Sequence, residues 1–523
     1  VGQNLNHTPD DWRQLLASFA LEPQALADFE QQLMAMAQQH LDGLERPAIS
    51  NSNKVEQSFY STDMPSASSL DHYIQLLQPA IDRSVNTQRP DFIGHMTSAL
   101  PSYMPVMAKL MAGLNQNLVK LETSGSFTDL ERQVLAVLHR LFYRQGQSRV
   151  DDFYTRYSQQ ADTALGVFCS GGTIANTLAL WLARNRFLAQ YNVAEEGLVG
   201  AMLKSGYRGF AVLVSERGHY SLSKAADVLG IGRKQLVAIA VDNNHRMDLQ
   251  ALEQKVQQLQ QQNIKVIALV GVAGATETGS IDPLTEMAAV AKQLQCHFHV
   301  DGAWGGAAIF SSEHGAKLAG IELADSITLD AHKQLYVPMG AGMVLFKDPA
   351  AVNHIKHHAS YIIRSDSRDL GAFTLEGSRP AMSLLVHAGL HLIGAKGYAA
   401  LVDHSMALAS SFAEMIKQAE DFELLVEPQL NILSYRYLPE WARHVECLSS
   451  PQNQRLNQLT VAIQVRQAEL GASFVSRTQL RLPQYQNQEI NVLRVVLANP
   501  HTDAKVLAEV LEQQRGIAKS LAT

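Results

Sequence analysis

Through the middle of the chain, short apolar runs alternate with segments in which apolar residues recur at helical spacing. The runs lie at 165–169, 211–214, 236–241, 266–272, 297–300, 326–329 and 342–346. Short runs bounded by turn residues read as strands, and strands alternating with helical patterns predict a mainly parallel central sheet with helices on both faces. Before this region, Trp12, Leu15, Leu16 and Phe19, then Leu33, Met34 and Met36, predict two amphipathic helices between about 10 and 45. A polar, loop-like stretch at 51–69 follows, then an irregular segment at 89–98 and a long helical region at 103–144, interrupted near 124–126. After the central region, 397–418 reads as a helix leading into a smaller α/β unit, with strands at 430–437, 459–465 and 490–497 and a last helix from Ala504. The Gln-rich 257–262 falls inside a helical pattern and reads as a solvated helix face. These patterns divide the chain into an N-terminal helical segment (1–120), a large domain (121–385) and a small C-terminal domain (386–523).

A chain of 523 residues, 46% apolar and 18% charged, buries a large core, as an ordinary globular enzyme does. The net charge of −7 argues against a nucleic-acid partner, since phosphate backbones are bound by clustered Lys and Arg. It leaves room for an anion in a locally basic pocket. Cys169, Cys296 and Cys447 are odd in number, widely spaced and without a C-x-x-C pair, so neither a disulfide framework nor a zinc ribbon is expected. A reducing cytoplasm is the expected compartment. No apolar run approaches the roughly 20 residues of a membrane-spanning helix, and 1–50 lacks a charged-then-apolar signal pattern.

The chemistry lies at the predicted strand ends. His299-Val300-Asp301-Gly302-Ala303-Trp304 places a carboxylate at the end of one strand, and Asp330-Ala331-His332-Lys333 places a lysine just past a later one. Pyridoxal phosphate needs that pair: an amine to hold its aldehyde as an imine, and a carboxylate to keep its pyridine nitrogen protonated. Alternation puts His297, His299 and Asp301 on one strand face. Ala303 and Gly305-Gly306 are small enough to let a flat ring approach the backbone. An acid at a strand end also serves as a cap, and an isolated lysine is usually a surface residue.

Three further strand ends carry polar groups. Ser170-Gly171-Gly172-Thr173 opens a helix whose free N–H groups suit a phosphate, or form a simple tight turn. His219, in 215–221, offers an imidazole to stack on a ring or hydrogen-bond a carboxylate, or fills a structural place. Thr276, in 274–279, offers a hydroxyl. His354, His357 and His358 have metal-ligand spacing, but no third ligand motif accompanies them and they read as an exposed helix face; no metal is expected.

From about residue 85 onward this constellation resembles the group II pyridoxal-phosphate-dependent amino acid decarboxylases. The resemblance implies a fold-type I transferase architecture and a homodimer with active sites at the subunit interface, the N-terminal segment helping to form it. It also implies Lys333 as the Schiff-base lysine, Asp301 as the pyridine-nitrogen partner and His219 as the stacking residue. His332 would sit beside the lysine, Ala303 would lie on the ring's other face, Gly172 and Thr173 would hold the phosphate, and Thr276 would lie near the cofactor. Arg494, in 490–496, matches the strand arginine that grips a substrate carboxylate, a contact suited to a guanidinium; the alternative is a pairing with a structural acid. His95, Thr97 and Ser98 are polar where members specific for aromatic substrates carry an aromatic residue, which implies a short polar or acidic substrate.

Residues 94–131, with Asn115-Gln116-Asn117, look similar to the bacterial aspartate 1-decarboxylase branch, implying conversion of L-aspartate to β-alanine. Glutamate decarboxylation is the alternative, with 2,4-diaminobutyrate or cysteine sulfinate behind it, because one methylene is worth only about 1–3 kcal/mol of discrimination. Outside this class stand a fold-type I aminotransferase and a non-catalytic scaffold. One departure is clear: the loop after Ser360 has Arg368 and Asp369 where the family usually carries a catalytic tyrosine, and Tyr361 stands only at the loop's start. The proton donor is thereby left open.

Overall fold

A computed structural model of the protein describes residues 22–43, 64, 68–144, 151–357, 367–443, 445, 448–471 and 473–522. Seven strands form its main sheet: β1 (Gly166–Cys169), β2 (Gly209–Ser215), β3 (Leu236–Ile239), β4 (Ile264–Val272), β5 (His297–Asp301), β6 (Ser326–Asp330) and β7 (Gly342–Phe346). Their order is β1-β7-β6-β5-β4-β2-β3. Only β7 runs against the others, antiparallel to both β1 and β6. Strands β5, β6 and β7 are buried at every position, as a sheet covered on both faces requires. Alternation along the strands feeds two cores. Phe168, Leu213, Met343 and Leu345 pack with the helices Ser126–Tyr143 and Leu284–Leu294, while Val167, Val212, Val214 and Val344 pack with the helix Gly172–Leu188.

The smaller sheet is antiparallel throughout, ordered β10-β11-β9-β8, from β8 (Phe422–Leu424), β9 (Ile432–Tyr437), β10 (Ser476–Arg481) and β11 (Glu489–Val496). The strand expected at 459–465 is instead part of the helix Ser450–Leu470. Its β-branched residues suggest a strand, but Ser449 and Gln452 form a capping box at one end and Gly471 adopts φ +67° at the other. Between them Leu456, Thr460, Ile463 and Gln467 are buried at helical spacing, and tertiary packing decides. The polar β10 and the three-residue β8 carry no apolar run and were not expected.

The helical region 103–144 breaks twice. Gly125, at φ +49°, makes the expected break between Leu121–Ser124 and Ser126–Tyr143. A second follows Met104–Leu114, where Asn115 turns left-handed at φ +46°. Asn117 then ties the turn to a distant segment, its Oδ1 accepting from the Val119 and Arg379 N–H groups (3.1 and 3.3 Å) and its Nδ2 donating to Ser378 Oγ (2.9 Å). The 10–45 region forms one helix, Pro23–Asp42, within the described residues, and Trp12 to Phe19 lie outside them. The helix Leu249–Gln261 buries Leu252, Val256 and Leu259 and turns its glutamines outward, as expected.

Among the described residues, no single helix is long and apolar enough to cross a membrane. The consecutive helices Met382–Leu392 and Gly394–Gln418 pass that test only as a pair, bent by 86°, and both bury apolar side chains in the fold. The irregular segment before residue 98 is stitched to the small domain. Ile93 N–H donates to Phe474 O (3.1 Å), Val496 N–H to Ile93 O (2.7 Å) and Phe474 N–H to Asp91 O (2.9 Å), which delivers the next residues to the carboxyl ends of the main sheet.

Candidate active site

Parallel strands present their carboxyl ends together, and there a cavity of about 450 Å³ opens. Ser170–Thr173 follow β1, His219 follows β2, Thr276 follows β4, Asp301 ends β5, and His332 and Lys333 follow β6. Arg494 reaches in from β11 and His95 from the stitched segment. Of the expected site residues, Gly172, Thr173, His219, Thr276, Asp301, Ala303, His332, Lys333, His95 and Arg494 line this space. Thr97 and Ser98 do not: Ser98 is buried and donates to Ala498 O (3.2 Å), and Thr97 hydrogen-bonds His95 Nδ1 (2.7 Å), orienting that ring.

Asp301 is buried and accepts at both oxygens, from Ala303 N–H at 3.2 Å and Asn176 Nδ2 at 2.9 Å. A carboxylate has about four acceptor positions, so it can take a further donor from a ring in the cavity. Lys333 Nζ lies 3.5 Å from Asp330 Oδ2, and His332 Nδ1 lies 3.1 Å from Asp330 Oδ1 and 3.2 Å from Ala341 O. Gly172 N–H, expected to be free for an anion, donates to Asp330 Oδ2 at 3.1 Å. A Cβ at Gly342 would stand 2.5 Å from Gly171 Cα, so only glycine lets the 170–173 turn settle on β7. This tight turn, the cavity's size, the acceptor Asp301 and the adjacent amine are suited to a phosphorylated aromatic aldehyde.

Burial lowers the pKa of His219, His332 and His95. Asp301 opposes the effect at His219 and Asp330 at His332, while Arg494, Lys333 and His332 reinforce it at His95. Arg494 is lowered to about 10, mainly by burial, and so remains a cation at neutral pH. Its Nε donates to Thr276 O (2.6 Å) and its Nη1 to Ser476 Oγ (3.2 Å), but its buried Nη2 has no partner among the described residues. Glu277 raises the Arg494 pKa through space without lying within ion-pair distance.

Elsewhere in the fold His139, His245, His297 and His299 are each lowered to about 4, chiefly by burial. Unfolded imidazoles titrate near 6.5, so between about pH 6.5 and 4 the unfolded chain binds more protons than the folded one. Their contribution is complete above the upper figure and is lost as pH falls through the interval. Buried Asp282, raised to about 6, acts in the opposite sense but is one group against four. The urea midpoint of the apoprotein is therefore expected to hold from pH 8 to 7 and to drop steadily below 6.5. A flat midpoint down to pH 4 would mean that these rings are already charged or hydrated in the fold.

Asn176, Asp330 and Arg217 also line the cavity and were not assigned roles from sequence. Asn176 sits four residues after Gly172, one turn into the helix that opens at the 170–173 turn, and that placement is the only sequence signal it gives. Arg368 pairs with Asp129 (3.0 Å) and Asp369 Oδ1 accepts from Leu121 N–H (2.7 Å), so both anchor structure away from the cavity. Tyr361 lies outside the described residues, as does His358. The short 3-10 turn Pro349–His354 ends before His357, whose ring stacks on Trp181 at 5.6 Å, so these histidines do not share one helix face.

Comparison with known proteins agrees with this arrangement. A family model described as the pyridoxal-dependent decarboxylase conserved domain matches residues 58–438. An aspartate 1-decarboxylase of Aliivibrio fischeri is 49% identical over 94% of this chain and 91% of its own. An L-2,4-diaminobutyrate decarboxylase of Acinetobacter baumannii is 29% identical over 70% of this chain and 71% of its own. Among solved structures, mouse CSAD superposes with a TM-score of 0.83 at 23% identity, over 95% of this chain and 99% of its own, which speaks to the fold. With the family model spanning both the main sheet and the start of the smaller one, this chain belongs to the pyridoxal-dependent decarboxylases.

Proposed function

We propose that the protein removes the α-carboxyl group of L-aspartate, giving β-alanine and carbon dioxide. The observation that carries this reading is Arg494, a buried cation with an unpartnered Nη2 beside Lys333 and Asp301 in one cavity. A desolvated guanidinium without an acid partner is costly unless a ligand supplies the anion. The 49% identity to an aspartate 1-decarboxylase supports the short acidic substrate. Glutamate adds one methylene and is the competing substrate.

When bound, pyridoxal phosphate supplies an electron sink for the pair left when carbon dioxide departs. Lys333 would hold the cofactor through its amine. Asp301 would hold the proton of the pyridine nitrogen, with His219 and Ala303 flanking the ring. Gly172 and Thr173 would bind the phosphate, for which Asp330 would have to yield the Gly172 N–H it now occupies. His332 steadies the lysine turn, Thr276 lies by the cofactor, and Arg494 and His95 take the substrate's side-chain carboxylate. At the substrate the Cα–carboxylate bond breaks and a proton replaces the lost group at Cα.

The reading includes a cytoplasmic homodimer. Leu26, Met34, Tyr73, Leu76, Val106 and Leu110 expose apolar surface on the helices of the N-terminal segment, which supports burial against a second copy. Carbon dioxide release should be measured with aspartate, glutamate, cysteine sulfinate, 2,4-diaminobutyrate and aromatic amino acids. Aspartate is expected to give the highest kcat/KM. A keto acid in place of carbon dioxide would indicate transamination, and a preference for any other substrate would replace aspartate in the assignment.

A further inference from the structure

Behind Asp301 a buried chain of hydrogen bonds runs the length of β5, and its direction is fixed by chemistry. An ionised carboxylate only accepts, so the Asn176 group 2.9 Å from Asp301 Oδ2 is the amide NH₂; the reverse orientation would oppose two acceptors. Asn176 Oδ1 then faces His299 Nε2 at 3.0 Å, which must carry the proton. His299 Nδ1 is left as the acceptor for Ser326 Oγ at 2.8 Å, and its 3.1 Å approach to the Ser326 carbonyl is then a contact with no proton between the two atoms, outweighed by the amide orientation that Asp301 imposes on Asn176. With its proton used, Ser326 Oγ accepts from His297 Nε2 at 2.7 Å. A branch leaves at Asn176, whose second amide proton goes to Ser221 Oγ (3.0 Å). The Ser221 hydroxyl proton is thereby directed to His219 Nδ1 (2.8 Å), where the Ser221 N–H also points (3.3 Å). Every donor along both branches is aimed at the cavity. Asn176, Ser221, His297, His299 and Ser326 are all buried, so water does not compete for these bonds.

We infer that Asn176 and His299 are positioning residues that hold Asp301 as an ionised acceptor and fix the proton of His219 on Nε2, the ring nitrogen without a protein partner among the described residues. Both Asp301 oxygens already accept, Oδ2 from Asn176 and Oδ1 from Ala303 N–H, and donors aimed at a carboxylate favour its ionised form over the protonated one. The same constraint makes His219 a hydrogen-bond donor toward the cavity. The charged groups acting on this chain are few: Asp301 and His297 on His299, Asp325 and Arg186 on His297, and Asp301, Lys333, Asp330 and Lys224 on His219. The inference rests on the proposed role of Asp301 at the pyridine nitrogen.

The test titrates apoprotein with pyridoxal phosphate and follows the absorbance of the bound cofactor across pH, with the urea midpoint of each apoprotein as the folding control. Asn176→Asp replaces the donor by an acceptor at nearly constant shape. It is expected to weaken cofactor affinity about tenfold or more and to move the pH at which the bound absorbance changes, since opposed buried carboxyls shift by a unit or more and each unit is a factor of ten. His299→Phe frees the Asn176 amide to rotate and is expected to move both readouts the same way by a smaller factor; it decides the matter if Asn176→Asp does not fold. Asp301→Asn separates the two levels of the argument. If Asp301→Asn shifts affinity and pH profile while folded Asn176→Asp and His299→Phe match wild type, the relay is wrong and the pyridine role stands. If Asp301→Asn also leaves both unchanged, the pyridine role fails and the relay with it.

Discussion

Lys333→Ala is expected to lower kcat by roughly four orders of magnitude or more, the scale seen when a covalent nucleophile is removed. That corresponds to about 5.5 kcal/mol of barrier at about 1.36 kcal/mol per decade. The reason is local. Among the described residues Lys333 is the only lysine lining the cavity, its side chain is largely buried, and Asp330 lies 3.5 Å away on the preceding strand end. No other amine among them is placed to hold the cofactor's aldehyde. Cofactor is expected to bind the variant still, through the 170–173 turn and Asp301, so loss of rate should outrun loss of affinity. Borohydride reduction of the wild-type holoenzyme followed by peptide mapping checks the assignment directly. A label on another lysine, or a variant within tenfold of wild-type turnover, would end it.

The main sheet was legible because each of its strands is an apolar run cut off by turn residues, and burial on both faces leaves no polar alternation to blur it. The strand ends then placed Asp301 and Lys333 without any long-range information. Where local signal and tertiary packing compete, the reading failed. Residues 459–465 look like a strand until the caps at Ser449 and Gly471 and the buried Leu456–Thr460–Ile463–Gln467 stripe are seen together. β10 is polar at nearly every position and is a strand only because β11 pairs with it.

The site divides in the same way. Residues that announce themselves by composition, such as Gly172, His219 and Asp301, were found. Asn176 and Asp330 act through partners 125 and 158 residues away in sequence, and nothing local to either residue encodes that. Thr97 and Ser98 share a polar segment with His95, but the stitch through Ile93 brings His95 and Met96 to the cavity and leaves Thr97 and Ser98 off it. Arg368 and Asp369 do not stand in for the loop tyrosine, since they are committed to Asp129 and Leu121. Of the acid groups that remain, His219 has its Nδ1 occupied by Ser221 and only its Nε2 available for proton transfer at the cavity.

Arg494→Met is expected to weaken productive binding of aspartate by about 2–5 kcal/mol, or between about thirtyfold and a few thousandfold in kcat/KM. Methionine keeps the length and the apolar stem, so β11 should retain its pairing with β9 and β10, and both the cofactor absorbance and the urea midpoint should stay near wild type. The lost part is the charge. In the fold the guanidinium is held by Thr276 O and Ser476 Oγ, which fix its direction without neutralising it, and no carboxylate among the described residues lies within ion-pair distance, Glu277 acting only through space. A substrate carboxylate at Nη2 would complete the group, and its removal leaves that carboxylate desolvated without a counterion. The effect should therefore fall on acidic substrates and be much smaller for 2,4-diaminobutyrate, whose side chain carries the opposite charge. Wild-type efficiency of the variant toward every acidic amino acid would remove Arg494 from the substrate site and return it to a structural role on β11.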